Sequence, residues 1–279
     1  MRIDVKKTYK LYIGGAFPRS ESGRSYEVNN SKGVFIANPS QASRKDLRDA
    51  VVAARAAQAG WSGATAFNRA QILYRVAEIM EGRTSQFVDE IVALEGVTPA
   101  VAKKQVEEAI DLWVWYSGWC DKISTIYGAT NPVSGSFYNF TTPEAMGVVG
   151  VFAPQKSSLL GLVQSLAPVL AAGNTAILVA SEKFPLPAIS LSEVLATSDI
   201  PGGVVNILTG ITAELAPWMA SHMDIDAIDA SGLSANQEKE ARLEGVENLK
   251  RIFAFKGDQT PQRVLAFMEN KTVWHPIGI

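Results

Sequence analysis

The feature that most constrains the fold is a regular alternation of short apolar runs with helical patterns across residues 147–230. Four runs have the length and composition of strands that are buried on both faces: 147–152, 175–180, 204–209 and 227–230. Three helical patterns lie between them, at 157–172, 187–197 and 213–222. Strands separated in this way join a parallel sheet with helices on both faces. The sequence therefore predicts an α/β fold.

The composition suits a chain with a large core, because 47% of its 279 residues are hydrophobic and 19% are charged. A net charge of −2 provides no basic surface for nucleic acid or for an anionic membrane. One cysteine excludes an internal disulfide, and two histidines leave little for a metal site. No apolar leader follows Met1–Lys10, and Gln164 and Pro168 interrupt the longest apolar stretch. We expect a soluble cytoplasmic protein without metal, nucleic-acid or membrane ligands.

The first half of the chain carries helix-start signals. Ser43 is followed by Asp46 in the spacing of a capping box, and Thr98-Pro99 places a capping residue before a proline at the first helical position. The pattern changes after Lys122. Residues 123–142 alternate apolar and polar side chains, carry few charges and contain turn-forming glycines and a proline. This stretch predicts an extended hairpin of two strands.

The two commonest phosphate-binding loops, GxGxxG and GxxxxGK[ST], are absent from the sequence. Open parallel sheets nevertheless bind ligands at the carboxyl ends of their strands. Four loops follow the predicted strands and form the candidate site: 153–158, 179–183, 210–214 and 231–235.

Several runs of residues, spread over nearly the whole chain, occur in the order typical of one family. They are YIGGAF, DLRDAVVAARAAQAGW, WYSGWCDKI, GVVGVFAP, LAPVLAAGNTAIL, PGGVVNILTG and FMENKTVW. The chain resembles the NAD(P)-dependent aldehyde dehydrogenases. The resemblance implies a Rossmann-like cofactor domain, residues 1–122 and 143–258, and a small antiparallel β oligomerisation arm, residues 123–142 and 264–279.

The resemblance also implies that the family's catalytic domain is missing. The end of the cofactor domain, NLKRIFAF, is followed by the family's terminal strand, FMENKTVW, after residues 256–266 alone. The family's nucleophilic cysteine belongs to the missing part, and we expect Cys120 to be a small buried hydrophobe. Lys156 stands where the family has an oxyanion-binding asparagine, and Phe255 stands where it has a general-base glutamate. We therefore expect no catalytic residues.

The cofactor site implied by the resemblance retains only part of its polar contacts. Its candidate residues are Ala153, Lys156, Ser181, Glu182, Gly210 and Gly232. Val179 replaces a lysine that contacts the adenosine ribose, Leu233 stands where a hydroxyl would face phosphate, and Thr212 replaces a glycine. We expect NAD or NADP to bind weakly or not at all.

A second hypothesis for the same loop is a carboxylate or phosphate site. It would consist of Lys156 with Ser157 and Ser158, if these residues lie at a helix N-terminus. A solvated lysine with no ligand is the alternative interpretation of the same residues.

Three functions remain open on this basis. The first is a non-catalytic scaffold or regulatory subunit, which pairs through its arm with a second copy or with a full-length aldehyde dehydrogenase. The second is an oxidoreductase that acts on aldehydes with NAD(P) and takes its nucleophile from another subunit. The third is a weak nucleotide or anion binder. The arm could also fold back over the chain's own sheet, in which case it would not be an interface.

Overall fold

The computed structural model describes residues 3, 5, 7–257 and 259–278. Three positions at or near the predicted domain limits, Met1, Asp258 and Ile279, lie outside the described residues. The helices of the described part are α1 Arg44–Gly63, α2 Ala66–Glu81, α3 Thr84–Glu95, α4 Pro99–Ser117, α5 Ile123–Tyr127, α6 Leu160–Ala171, α7 Leu186–Leu195, α8 Thr212–Ser221, α9 Ala235–Glu244 and α10 Pro261–Leu265.

The strands form three sheets within the described residues. Their bounds are β1 Val28–Asn29, β2 Phe35–Ala37, β3 Ala129–Asn131, β4 Phe137–Ala145, β5 Val148–Phe152, β6 Thr175–Val179, β7 Val205–Leu208, β8 Ala227–Asp229, β9 Arg251–Phe253 and β10 Met268–Pro276. β1 and β2 form a small antiparallel pair. The other two sheets are a parallel sheet of five strands and an antiparallel sheet of three.

The parallel sheet has the strand order β7-β6-β5-β8-β9 and confirms the predicted α/β fold. Its four strands β5 to β8 are buried on both faces, because alternate residues point into different clusters of the core. Val149 and Val151 pack with α6 and α7, whereas Val148 and Phe152 pack with α1 and α8. This two-sided burial explains why the strands are almost wholly apolar in the sequence.

The helices α2, α3 and α4 form an outer layer that packs on α6. The fully buried side chains of Phe87 and Trp113 lie in this layer. Both predicted helix starts are confirmed. Ser43 and Asp46 form a reciprocal capping box at α1, and the Thr98 side chain caps α4, whose first residue is Pro99.

The antiparallel sheet has the order β10-β4-β3 and is separate from the parallel sheet. Its two long strands pair over nine residues, from Met268–Ala145 to Pro276–Phe137. We refer to β3, β4 and β10 together as the arm. The described strands of the arm pair only with one another and with no strand of the parallel sheet.

The predicted start of the hairpin was wrong. Residues 123–127 form helix α5, and the second strand continues past Thr142 to Ala145. Ile123, Ile126 and Tyr127 have the spacing of one helix face as well as an alternating appearance. Burial of Ile123 and contact of the Tyr127 ring with Trp119, at 6.4 Å between centroids, favour the helix.

The connection from β9 to β10 consists of residues 254–266, which we call the strap. Arg263 in α10 is 5% exposed, and its guanidinium donates to the carbonyl oxygens of Gln164 at 3.1 Å and Gly257 at 2.8 Å. Three aromatic rings pack at the ends of the strap, with centroids 5.5–6.0 Å apart: Phe253, Phe255 and Phe267. In its described residues the strap holds one short helix between the last parallel strand and the arm.

Candidate functional site

A cleft of about 520 Å³ lies where β5, β6 and β8 reach their carboxyl ends. This is the position at which open parallel sheets bind ligands. The lining residues come from the predicted loops and from the first turn of α9: Pro154, Gln155, Lys156, Glu182, Lys183, Thr212, Ser231, Gly232, Leu233, Ser234 and Gln237.

Three of the six candidate cofactor residues line this cleft, namely Lys156, Glu182 and Gly232. The other three support the surrounding loops. Ser181 is 2% exposed, and its hydroxyl donates to the Gln155 carbonyl and accepts from the Phe184 amide, both at 3.2 Å. Ser181 therefore closes a turn below the cleft.

Gly232 and Gly210 are glycines because backbone approaches them closely. A Cβ on Gly232 would lie 2.1 Å from the carbonyl oxygen of Ala153, so a side chain would separate the loop after β8 from the end of β5. Gly210 has φ +155°, and a Cβ there would lie 3.1 Å from the Ala42 amide nitrogen. Both glycines, together with Ala153, shape the loops of the cleft by packing.

Glu182 is already engaged within the chain. Its carboxylate accepts a hydrogen bond from the Thr212 amide, and its own amide donates to the Gln155 side chain at 2.9 Å. Thr212 is the first residue of α8, so Glu182 satisfies a free amide at the positive end of that helix. A ribose hydroxyl would have to compete with this contact for the carboxylate.

Lys156 does not lie at a helix N-terminus as expected. Helix α6 begins at Leu160, so Lys156 lies in the loop before the helix and is exposed. The Ser157 hydroxyl accepts from the Gly161 amide at 2.9 Å. The Ser158 amide and hydroxyl both donate to one carboxylate oxygen of Glu95, at 2.8 and 2.6 Å. The chain's own Glu95 therefore takes the donors that an external anion would need.

Glu95 is a residue that the sequence analysis missed. It ends α3 and lies 63 positions from Ser158 in sequence. A glutamate at the end of an outer helix carries no local signal of such a contact. Glu182 lines the cleft, whereas Glu95 lines a separate cavity and reaches the loop that holds Lys156 through its contact with Ser158.

Phe255 contributes packing at the position where the resemblance places a general base. Its ring is half-buried between Phe253 and Phe267, and the Arg263 guanidinium lies 4.9 Å from its centroid. The Phe255 amide donates to the Ser231 hydroxyl at 3.0 Å, which attaches the strap to a residue of the cleft. The side chain has no group that could transfer a proton.

Cys120 lies away from the cleft. It is 4% exposed and borders a separate cavity of about 370 Å³, beside Arg69 and Ser124. Burial raises the pKa of the Cys120 thiol to about 12. The thiolate is the nucleophilic form, so Cys120 is unreactive at neutral pH. Its burial agrees with the expected role of a small hydrophobe.

Asp229, at the end of β8, is a second residue that the sequence analysis missed. It is fully buried, and burial raises the pKa of its carboxyl above the usual range. One oxygen accepts from the Ser231 amide at 2.9 Å, and the other has no partner among the described residues. Asp229 orients the Ser231 loop at the edge of the cleft.

Two classes of site are not found in the described residues. No group of three or more His, Cys, Asp and Glu side chains is placed to hold a metal ion. None of the described helices has the length and apolar character needed to cross a membrane.

The parallel sheet and the cleft at its carboxyl edge define a Rossmann-like protein of the dinucleotide-binding class. The aldehyde dehydrogenase family matches residues 17–272, and the chain belongs to this family.

The chain is similar to complete members of the family over about half of their length. It is 31% identical over 270 residues to human retinal dehydrogenase 2, a match that covers 95% of this chain and 51% of the relative. It is 30% identical over 285 residues to an aldehyde dehydrogenase of Emericella nidulans, covering 99% and 56%. The NAD+ complex of an aldehyde dehydrogenase from Bacillus cereus superposes with a TM-score of 0.83 at 27% identity, covering 88% of this chain and 50% of that one.

The residues of the cleft fit a dinucleotide poorly. Glu182 is held by Thr212, the apolar side chain of Leu233 lines the wall, and Val179 is 1% exposed within the core. Lys156 and Lys183 are the cations that line the cleft, and neither forms an ion pair within the described part of the chain. The NAD or NADP that the family uses would find few of the polar contacts expected for it.

We expect NAD to bind in the millimolar range, which corresponds to about 4 kcal/mol. The substitution Leu233→Ser should tighten binding by about tenfold, because it restores one hydrogen bond to a charged group. Val179→Lys is less informative, since it would place an ammonium group in the core. Calorimetric titration measures the change, with Leu243→Ser on the exposed surface of α9 as control. Micromolar affinity of the unmodified chain would contradict this description of the cleft.

Proposed function

We propose that this chain is a non-catalytic aldehyde-dehydrogenase-like subunit that acts as a scaffold or regulatory subunit through its arm. In this proposal residues 1–122 and 143–258 form a cofactor-type domain, and residues 123–142 and 264–279 belong to the arm. The same proposal places the protein in the cytoplasm. A homodimer and a complex with a full-length aldehyde dehydrogenase are the two assemblies that this function allows.

The observation that carries the proposal is the exposed aromatic surface of the arm. Phe137, Tyr138 and Trp274 are 43%, 48% and 57% exposed. The rings of Phe137 and Trp274 lie 5.7 Å apart on neighbouring strands, so together they form a patch. Large clustered aromatics on a surface mark contacts with another protein.

The positions named by the family resemblance support the absence of aldehyde chemistry. Lys156 is an exposed cation in a loop, and a mobile ammonium does not replace a fixed amide aimed at an oxyanion. Phe255 lies in the aromatic packing of the strap. A nucleophile supplied by another subunit would still lack both partners in this chain.

Weak binding of a nucleotide or anion in the cleft is the second candidate function. Lys156 and Lys183 favour it, as does the hydroxyl of Thr212, which is buried without a partner among the described residues. Such binding is compatible with the scaffold function and could regulate it.

Light scattering tests the proposed function. At tens of micromolar we expect a dimer, with twice the 30.0 kDa mass of the chain. Truncation after Glu269 removes most of β10 and should give a monomer, and Phe137→Asp should weaken the dimer by placing a charge in the aromatic patch. Phe67→Asp is the control, because Phe67 is also an exposed phenylalanine and lies on α2, outside the arm. A monomer that neither change affects would contradict the arm as an association surface.

A further inference from the structure

The outer edge of the arm is open along a whole strand. β10 has β4 as its neighbour on one side, and none of the described strands lies on its other side. The Met146 amide donates to the Phe267 carbonyl, and the Ile277 amide donates to the Ser136 carbonyl at 3.0 Å. In an antiparallel pair the residues bonded to the neighbour alternate. The odd-numbered residues of β10 therefore bond to β4, and the amides and carbonyls of the even-numbered ones point outward, where the Met268 carbonyl accepts from the Arg251 guanidinium at 3.4 Å.

The opposite edge of the arm is poorly suited to pairing. β3 has three residues and is followed directly by Pro132, which has no amide hydrogen. β10 has nine residues, and Pro276 at its end is the one position of the strand that lacks a donor. Long unprotected edges recruit another strand. The outward donors of β10 are the amides of Met268, Asn270, Thr272 and Trp274.

We propose that two copies of this chain pair antiparallel through β10, with the twofold axis at Thr272. The proposal rests on the proposed scaffold function and names the partner as a second copy. Thr272 then lies opposite the partner's Thr272, and Trp274 lies opposite the partner's Asn270. The two arms form one continuous sheet in the order β3-β4-β10 followed by the same strands of the partner reversed.

Charge selects this register over its neighbours. With the axis at Thr272, Glu269 faces the partner's His275, and this pair occurs twice. An axis at Lys271 would place two like charges directly opposite each other, which is destabilising. An axis at Val273 would shorten the paired segment to 270–276, so that Met268 and Glu269 would have no partner. The Thr272 register therefore brings opposite or hydrogen-bonding partners together and keeps like charges apart.

One other register has favourable charges, but it pairs too few residues of the two strands. An axis at Asn270 would pair Glu269 with the partner's Lys271. It would shorten the paired segment to 268–272, because Phe267 before it is buried in the body of the protein. The axis at Thr272 uses the whole strand from Met268 to Pro276. Within one chain Glu269 contacts Arg251 at 2.9 Å and Lys271 contacts Glu144 at 3.3 Å, and both pairs are about half exposed.

Cysteine cross-linking tests this register. Positions 269 and 275 of the two copies form a non-hydrogen-bonded pair, whose Cα atoms lie about 4.5 Å apart, within the range of a disulfide. Within one strand the same positions are about 20 Å apart and cannot be joined. The double variant Glu269→Cys/His275→Cys should therefore form a covalent dimer under mild oxidation.

The single variants Glu269→Cys and His275→Cys are matched controls. Each keeps the buried Cys120, and both positions are exposed, so the fold should not change. We expect at least about tenfold more cross-linked dimer on a non-reducing gel from the double variant than from either single one. Circular dichroism of the three variants confirms that they are folded.

The cross-linking and light-scattering results test the register and the scaffold function separately. A dimer in light scattering whose double variant does not cross-link, or one whose single variant cross-links equally well, would overturn the pairing at Thr272 and leave the scaffold function standing. A chain that is monomeric in light scattering would overturn both.

Discussion

Replacement of Phe267 with alanine should lower the free energy of unfolding by about 3–5 kcal/mol, the usual cost of removing a fully buried aromatic side chain. Phe267 is 0% exposed and lies 5.5 Å from Phe253 and 5.9 Å from Phe255 between ring centroids. It joins the strap to β10, and its carbonyl accepts from the Asn174 side chain at 2.8 Å. The cavity left by the ring would loosen the attachment of the arm to the parallel sheet.

Denaturant titration measures this effect. Phe67→Ala is the matched control, because the Phe67 ring is 66% exposed and its loss should change stability by no more than about 0.5 kcal/mol. A loss below about 1 kcal/mol for Phe267→Ala would be typical of a surface residue. It would show that the strap is not packed into the hydrophobic core of the protein.

The parallel sheet was predictable from the sequence because its strands are buried on both faces. Four apolar runs mark β5 to β8 directly, and the helices between them require parallel pairing. The edge strand β9 has no such run, since Arg251 is exposed there. Helix α5 was missed because its short apolar pattern fits a helix and a strand equally well.

The position of the cleft was predictable, but its internal contacts were not. The carboxyl ends of parallel strands meet at one edge, so the loops that hold Lys156, Glu182 and Gly232 had to converge. The contacts of Glu95 with Ser158 and of Glu182 with Thr212 join residues 63 and 30 positions apart. Such contacts depend on how α3 and α8 pack, which no local pattern of residues encodes.

Aldehyde oxidation should be absent, and this is the largest functional effect that we expect. Loss of a single oxyanion donor costs roughly 10²–10³-fold in rate. The family resemblance places Lys156 at the position of that donor and Phe255 at the position of the base. Burial raises the pKa of the one cysteine thiol, Cys120, to about 12.

The central claim, a family member without the family's chemistry, is tested most directly by the aldehyde-dependent reduction of NAD and NADP. The measurement follows the absorbance of the reduced cofactor with short aliphatic and aromatic aldehydes, using rigorously purified protein and its Cys120→Ser variant. We predict no reduction above the protein-free background for either protein. Turnover that elutes together with the chain and persists in the Cys120→Ser variant would contradict the non-catalytic function, and its loss in Lys156→Ala would place the chemistry in the cleft.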